Sequence, residues 1–452
     1  MNNLQGNYAG DARRFPVPAP KDVWDVMLKA AIILSLLAML ALSTRTAMFS
    51  PLVRIAQRHG FLALLVKPSM IWFSMGALLL SFRTLLWFSY RPFAPASMGS
   101  APTMTVVIPA YNEGAMVAQA IDSVAAARYP VGRLQIIVVD DGSTDDTWMH
   151  IQRAAARHGD RVQAVQLPHN RGKREALGTG FRLSTAEVLV TVDSDSVIEP
   201  DALLALAGPF SQARIGVVAG RVLVYNRHEG LIPRMLHVRF ILAFDFLRAY
   251  QSTFGTVYCS PGALSAYRAS AVRRVLDGWL NQRFLGAPAT YGEDRAMTND
   301  ILRLGYDSVY QRAASVLTVV PTTYTKLCKM LLRWERSFVR EEIRFACIVW
   351  RRPLRSRMFA LFDMAITNLR YPALYASLII LGVGVWDEPL ALPRMALAMG
   401  AISLLYSLYY LRSERSWDVV YGVVFAYFSF VCMSWIPAYA VSTVRARGWL
   451  TR

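Results

Sequence analysis

Five stretches of the chain stay apolar for about the length of a bilayer crossing: residues 24–43, 69–90, 358–386, 390–411 and 417–443. Each is near the ~20 residues a helix needs to cross a hydrocarbon core. Between the second and third the rhythm changes. From 102 to about 320, short apolar runs at Thr105–Pro109, Gln135–Val139 and Val188–Val192 alternate with helical spacing. That pattern predicts an α/β domain with a parallel, doubly wound sheet. Residues 324–350 then repeat apolar and basic positions at three- and four-residue steps, which predicts an amphipathic helix. The expected organisation is a flexible N-terminus (1–22), two membrane helices (23–92), an α/β domain (102–322), interfacial helices (323–355), about three more membrane helices (356–444) and a basic tail (445–452).

Composition supports a membrane setting. The chain is 54% hydrophobic and 18% charged, against about 25% charged for ordinary soluble domains. Its net charge of +18 has two readings. A nucleic-acid binder clusters cations and aromatics on a polar domain, whereas a membrane protein keeps them on cytoplasmic loops. Much of the excess flanks apolar runs, which favours the membrane and no nucleic-acid partner. Arg351, Arg352, Arg355 and Arg357 place the start of the third run inside, Asp387 and Glu388 suit the outside, and Arg412 and Arg415 the inside again. A simple fifth span would put Arg445, Arg447 and Arg452 outside, against the positive-inside rule, so Pro437 marks the last helix as kinked or re-entrant. The loop with Arg45, Arg54, Arg58 and Lys67 suits the interface. Cys259, Cys328, Cys347 and Cys432 lack metal-type spacing and read as free thiols. The first apolar run starts late and has no small-residue cleavage site, so no cleaved signal peptide is expected.

Polar clusters recur at strand ends, where open α/β sheets bind ligands. The first run continues into Pro109-Ala-Tyr-Asn-Glu113. Tyr111 could stack on a base and Glu113 accept hydrogen bonds; a plain loop capped by Asn112 would also explain it. The second ends in Asp140-Asp-Gly-Ser-Thr-Asp-Asp146. Helix capping by Ser143 or Thr144, with Asp145 and Asp146 in the first turn, accounts for the later acids. It leaves Asp140 and Asp141 at the edge, where an acceptor could read a uracil N–H. In Asn170-Arg-Gly-Lys173 a cation beside glycine suits a phosphate. In Asp193-Ser-Asp195 strand alternation puts both carboxylates on one side, a hard-oxygen pair fit for Mg²⁺ or Mn²⁺ and diphosphate oxygens. Tyr291-Gly-Glu-Asp-Arg295 opens a helix, where acids are often only dipole partners; Asp294 is nonetheless a candidate general base for an inverting sugar transfer. Lys326, Lys329, Arg333, Arg336, Arg340 and Arg344 form one helical stripe beside Leu327, Leu331, Trp334 and Phe338. An interfacial helix on anionic headgroups explains that stripe. So does a diphosphate contact from Arg333 with Trp334 stacking on an acceptor sugar, and the two are compatible.

Taken in order, these motifs resemble the inverting family 2 glycosyltransferases, and more narrowly the membrane polysaccharide synthases that make hyaluronan, chitin oligosaccharides and cellulose. The likeness runs over about residues 70–452. Arg333-Trp-Glu-Arg-Ser-Phe-Val-Arg-Glu341 and Trp449-Leu-Thr-Arg452 are most similar to the hyaluronan and chitin-oligosaccharide branch. The resemblance implies a UDP-sugar site of Tyr111, Glu113, Asp141, Lys173, Asp193 and Arg333, a metal (Mg²⁺ or Mn²⁺) on Asp193 and Asp195, Asp294 as base, and Trp334 and Glu293 toward the acceptor. It implies a β-linked polysaccharide as growing acceptor and product, translocation across a cell membrane, and a cytoplasmic catalytic domain. Lipids are expected partners, and an accessory exporter or a second copy stays open. A non-processive transfer to a lipid-linked acceptor is the alternative. Two positions depart from the pattern: Met330 stands where glutamine is usual before Arg333-Trp334, and Ser260-Pro-Gly-Ala263 replaces Ser-Gly-Pro.

Overall fold

The computed structural model describes residues 23–45, 48–60, 62–63 and 67–446. The N-terminal 1–22, Arg447 and Trp449–Arg452 lie outside them. Two units are separable, Met1–Met48 and Phe49–Arg452. The first holds α1 (Val23–Arg45), an apolar helix whose described side chains are mostly exposed.

The second unit opens with α2 (Ser50–His59), amphipathic with Leu52 buried, and α3 (Pro68–Phe88). The chain then alternates strand and helix: β1 (Met104–Ala110), α4 (Met116–Ala125), β2 (Leu134–Asp140), α5 (Thr147–His158), β3 (Val162–Gln166), α6 (Lys173–Leu183), β4 (Val188–Val192) and β5 (Ser196–Ile198). Next come α7 (Ala202–Ala207), β6 (Ile215–Val224), α8 (Leu231–Ile241), a π-helical turn at Leu242–Phe246, and α9 (Leu247–Ser252). They are followed by β7 (Leu264–Arg268), α10 (Ala269–Leu280), the small hairpin β8 (Arg283–Phe284) and β9 (Ala287–Pro288), α11 (Glu293–Arg303) and β10 (Asp307–Thr318). The long helix α12 (Tyr324–Ile348) leads to α13 (Leu354–Gly384), α14 (Ala391–Glu414), α15 (Val419–Met433) and α16 (Trp435–Ser442).

The main sheet has strand order β3-β2-β1-β4-β7-β6-β10-β5. Its first half is the expected parallel array: β1 pairs in parallel with β2 and β4, and β2 with β3. Strands β1 and β4 are buried along their whole length, as sheets covered on both faces require. The expectation of a wholly parallel sheet fails beyond β4. Strand β7 runs antiparallel to both β4 and β6, and β5 antiparallel to β10. The physical reason is the excursion α8–π–α9, which brings the chain back to the sheet from the opposite end. The sheet is therefore mixed.

Among the described residues four helices are long and apolar enough to cross a membrane: Val26–Arg45 of α1, α3, α13 and α14. A fifth counts if the bent pair α15–α16 is one span. The bend of 50° falls at Ser434. Pro437 has no N–H to offer the carbonyl of Met433, so the helical ladder stops there. Arg83 of α3 donates to Asp363 of α13 at 3.0 Å and to Thr367 at 2.7 Å, and Tyr250 of α9 donates to the other Asp363 oxygen at 2.9 Å. At the opposite end of α3 and α13, Lys67 meets Glu388 at 3.1 Å. The sheet is pinned to α14 through buried Asp245 of the π-turn. It accepts from Tyr310 and Arg312, while Arg221 reaches Glu414 at 2.6 Å and Arg312 reaches Tyr409.

Candidate active site

The loops after β1 and β2 are stapled together before any ligand is considered. Asn112 sits in the left-handed region at φ 52°. Its N–H donates to Ser143 Oγ, and its Oδ1 accepts from the N–H of Thr144 at 2.9 Å. The N–H groups of Glu113 and Gly114 both donate to Thr147 Oγ1 at 2.8 Å. Tyr111 stands half-buried on this loop. Asp140 is fully buried and accepts from Ser143 and Gln166. Asp141 accepts the N–H groups of Arg171 and Gly172, one on each oxygen, both at 2.8 Å. Burial raises the proton affinity of Asp141 despite those donors. These two acids therefore shape the loop that leads to Lys173.

Strand β4 stops at Val192, so the expected strand alternation does not reach the two acids: Asp193 and Asp195 are half-buried in the turn that follows, closed by the Ser196 N–H on the Asp193 carbonyl at 3.1 Å, while Ser194 between them is buried and donates to Glu113 Oε1 at 2.9 Å. Lys173, the first residue of α6, places Nζ 2.5 Å from Asp193 Oδ1 and 3.2 Å from Glu293 Oε1. Asp195 accepts from Ser196 and weakly from Thr318. Its carboxyl is pushed up to about 6, first by burial and then by the Asp193 charge. Glu293 and Asp294 open α11 after Gly292, whose φ of 75° is left-handed. A Cβ on Gly292 would also lie 1.9 Å from Ser337 Oγ of α12, so only glycine lets α12 press against this turn. Asp294 accepts from the Arg295 N–H at 2.7 Å, and Cys259 donates to its other oxygen at 3.6 Å. Burial first, then Glu293, raises the proton affinity of Asp294.

Arg333 of α12 faces this cluster. Burial pulls its proton affinity down, and the carboxylates of Glu293, Asp193, Asp294 and Asp195 oppose that pull. The fold thus gathers Lys173, Asp193, Asp195, Glu293, Asp294 and Arg333 in one place, with Glu113 joined through Ser194. Trp334, the next residue, packs on Phe240 and Phe244 of the α8–π segment at ring distances of 6.0 and 6.4 Å. The basic stripe of α12 is not exposed along its whole length: Lys326 and Lys329 are exposed, but the arginines further on are not. Arg336 and Arg340 are buried; Arg336 donates to Thr443, Arg340 to the Tyr291 carbonyl and Glu341, and Arg344 to Glu341 and Asp300. Helical periodicity defines a face but not what it meets. Here the face meets the acid-bearing turn.

Cys259, Gly262 and Ser194 also stand at the site; the last two lie inside motifs legible in the sequence, whereas nothing local marks Cys259. A Cβ on Gly262 would lie 3.0 Å from Lys173 Nζ, so the Ser260-Pro-Gly-Ala263 departure brings bare backbone against the charges. The donor set fits a divalent ion in one respect. The Asp193 charge raises the proton affinity of Asp195, a crowding that a hard cation relieves. Among the described residues no group of three or more His, Cys, Asp or Glu could hold a metal, so phosphate and water oxygens would have to complete the sphere.

Comparisons with known proteins now bear on this geometry. The Glycosyl transferase family 2 model matches residues 105–276. An N-acetylglucosaminyltransferase from Rhizobium sp. (strain N33) is 32% identical over 368 residues, 79% of this chain and 80% of that one. This chain is a family 2 glycosyltransferase. A hyaluronan synthase from Streptococcus pyogenes is 36% identical over 263 residues, 57% of this chain and 62% of that one. Four further N-acetylglucosaminyltransferases are matched over 58 to 60% of their length. Among solved structures, a mannosyltransferase from Pyrobaculum calidifontis, in complex with GDP-Man and Mn²⁺, aligns with a TM-score of 0.59 at 21% identity over 81% of this chain and 97% of that one. That likeness concerns the fold. The family assignment makes the chain a glycosyltransferase of membrane character and leaves its donor, acceptor and product open.

Proposed function

We propose that this family 2 glycosyltransferase moves a sugar from a UDP-sugar onto a growing β-linked polysaccharide and passes the product between its membrane helices. One observation carries the reading. Helix α12 presents Arg333 to the acid cluster while its Leu331 and Glu335 line a cavity of about 460 Å³ between α3, α8–α9, α13, α14 and α15. A transfer site and a membrane-level passage thus share one helix. A transferase that adds one sugar and releases its product needs no such passage.

The chemistry follows from the residues. Tyr111, Glu113 and the loop shaped by Asp141 hold the UDP moiety. Lys173 and Arg333 bring positive charge to the diphosphate. A divalent ion, Mg²⁺ or Mn²⁺, would be held by Asp193 and Asp195 and supplies further charge for the departing diphosphate. Asp294, whose proton affinity burial and then Glu293 raise, takes the proton of the acceptor hydroxyl. That oxygen bonds to the anomeric carbon from the opposite side as the bond to UDP breaks, and UDP keeps the electron pair. Inversion gives the β-linkage. Glu293 and Trp334 border the acceptor side. The catalytic domain is cytosolic on this reading, because UDP-sugars are.

The test is to supply the full chain in lipid vesicles with radiolabelled UDP-sugars, singly and in pairs, and size the product. Long polymer supports the proposal; a single sugar on a lipid carrier, or no transfer from any UDP-sugar, overturns it.

A further inference from the structure

Lys173 stands where two groups of acids meet. Its Nζ lies 2.5 Å from Asp193 Oδ1 and 3.2 Å from Glu293 Oε1, so one ammonium bridges the turn after β4 and the start of α11. The bridge is closely held. Asp141 accepts the N–H of Gly172 at 2.8 Å and so fixes the backbone just before the lysine. A Cβ on Gly262 would come within 3.0 Å of Nζ and 3.4 Å of Asp193 Oδ1, so bare backbone closes over the pair. The Lys173 and Glu293 side chains are only 19% and 7% exposed, which leaves little water to screen the contact. Asp193 is also one of the two carboxylates assigned to the metal. The same oxygen atom thus lies within reach of a fixed cation and a mobile one.

We propose that Lys173 is a resident counter-ion that holds Asp193 against Mg²⁺ or Mn²⁺ and yields it only when a nucleoside diphosphate draws the ammonium away. Metal and nucleotide then bind as a coupled unit rather than metal first. This rests on the UDP and metal roles proposed above and adds their order. A carboxylate oxygen that carries an ammonium has less charge to offer a hard cation, and the two cations repel each other in this half-buried setting. The ligand set is also short. Among the described residues no three His, Cys, Asp or Glu side chains could hold a metal, so Asp193 and Asp195 leave most of a Mg²⁺ coordination sphere to other oxygens. A diphosphate answers both shortages at once: its oxygens complete the sphere, and its charge replaces Asp193 as the partner of the lysine. Lysine suits such an exchange. Its compact ammonium on a flexible stem passes from one anion to another with no planar fork to satisfy. By linkage the coupling is mutual, so the factor UDP adds to metal affinity is the factor the metal adds to UDP affinity.

The experiment measures Mn²⁺ bound to the full chain in phosphatidylcholine nanodiscs by electron paramagnetic resonance, with and without UDP, against a protein-free titration of Mn²⁺ with UDP. Wild-type protein is expected to bind Mn²⁺ about tenfold or more tightly with UDP than without, within the usual range of coupling between sites. Lys173→Met keeps the stem and removes the charge. It is expected to bind Mn²⁺ alone about tenfold more tightly than wild type while its UDP affinity falls, so that the coupling shrinks. Lys173→Arg, which keeps the charge, should hold Mn²⁺ alone as weakly as wild type, and Lys173→Gln gives the neutral readout should the methionine variant not fold. Equal Mn²⁺ affinity with and without UDP in the wild type overturns the proposal and leaves the metal and UDP roles intact. So does a neutral variant whose UDP affinity drops while its affinity for Mn²⁺ alone stays at the wild-type value, which is the behaviour of a lysine that only contacts diphosphate. Binding of neither Mn²⁺ nor UDP under any condition sinks the site reading beneath it.

Discussion

Strands β2 and β4 both end in a pair of aspartates, Asp140-Asp141 and Asp193-Ser-Asp195, and the fold uses the two pairs in opposite ways. The first pair is adjacent, so the side chains point to opposite faces, and each finds local donors. Asp140 takes Ser143 and Gln166, and Asp141 takes the backbone of Arg171 and Gly172. The second pair lies past the end of β4, in a turn closed by the Ser196 N–H on the Asp193 carbonyl, and both acids stay half-buried there. Asp193 meets Lys173 at 2.5 Å, and Asp195 accepts from the Ser196 and Thr318 hydroxyls beside the Asp193 charge. One pair builds a loop; the other is left crowded and under-compensated, which is how a site awaiting charge looks. The donors within reach of each pair decide which.

The sharpest break of this comparison is at the acid that belongs to neither strand. Asp294→Asn should cut transfer by about 10²–10⁴-fold with an unchanged thermal midpoint, since asparagine still accepts the Arg295 N–H. UDP release at the wild-type rate in the purified variant would remove Asp294 from the role of base.

Next is the sign of stability at the two pairs. Asp195→Asn relieves a like-charge contact, so the protein should unfold at the same temperature or higher while transfer falls and the requirement for added Mg²⁺ or Mn²⁺ rises by at least ~10–100-fold, the range seen even for outer-shell partners. Asp141→Asn should do the reverse. It places an N–H against a backbone donor, costing about 1–3 kcal/mol of stability and weakening donor affinity, with no change in metal requirement. Thermal unfolding with a metal titration on both variants separates them. Matching behaviour would mean that the donor argument is wrong.

The same contrast explains what could be read from sequence. Strands with contiguous apolar runs and the bilayer-length helices depend on local periodicity, so they were legible; Asp193 and Asp195 fall in the turn past β4, where that periodicity no longer applies. The antiparallel β7 was not, because its direction is fixed by the α8–π–α9 excursion rather than by Leu264–Arg268 themselves. Nor was the partner of the α12 arginines. Arg340 at 2% exposure meets the carbonyl of Tyr291, some fifty positions away in the chain. Cys259 beside Asp294 escapes for the same reason. A small, unremarkable residue becomes part of a site only through long-range contact.

The smallest expected effect concerns an acid that builds at a distance. Glu342 of α12 pairs with Arg295, the residue after the proposed base, and accepts from Asn368 of the membrane helix α13 at 3.0 Å. Arg295 also lies 4.6 Å over the Phe338 ring. This arrangement fixes the first turn of α11 against two helices, one of them within the membrane, without touching the acid cluster. Glu342→Gln keeps the shape and a neutral hydrogen bond but removes the charge, a change of about 1 kcal/mol. A positioning role predicts a fall in kcat of about fivefold, with donor KM and metal requirement unchanged. Asn368→Ala should produce a smaller fall of the same kind, and the double variant should lose less than the two single losses combined, because both act on one turn. Strictly additive losses would place Glu342 and Asn368 in separate structural roles. The acids that build would then end at the strand loops, with none reaching from the membrane to the base.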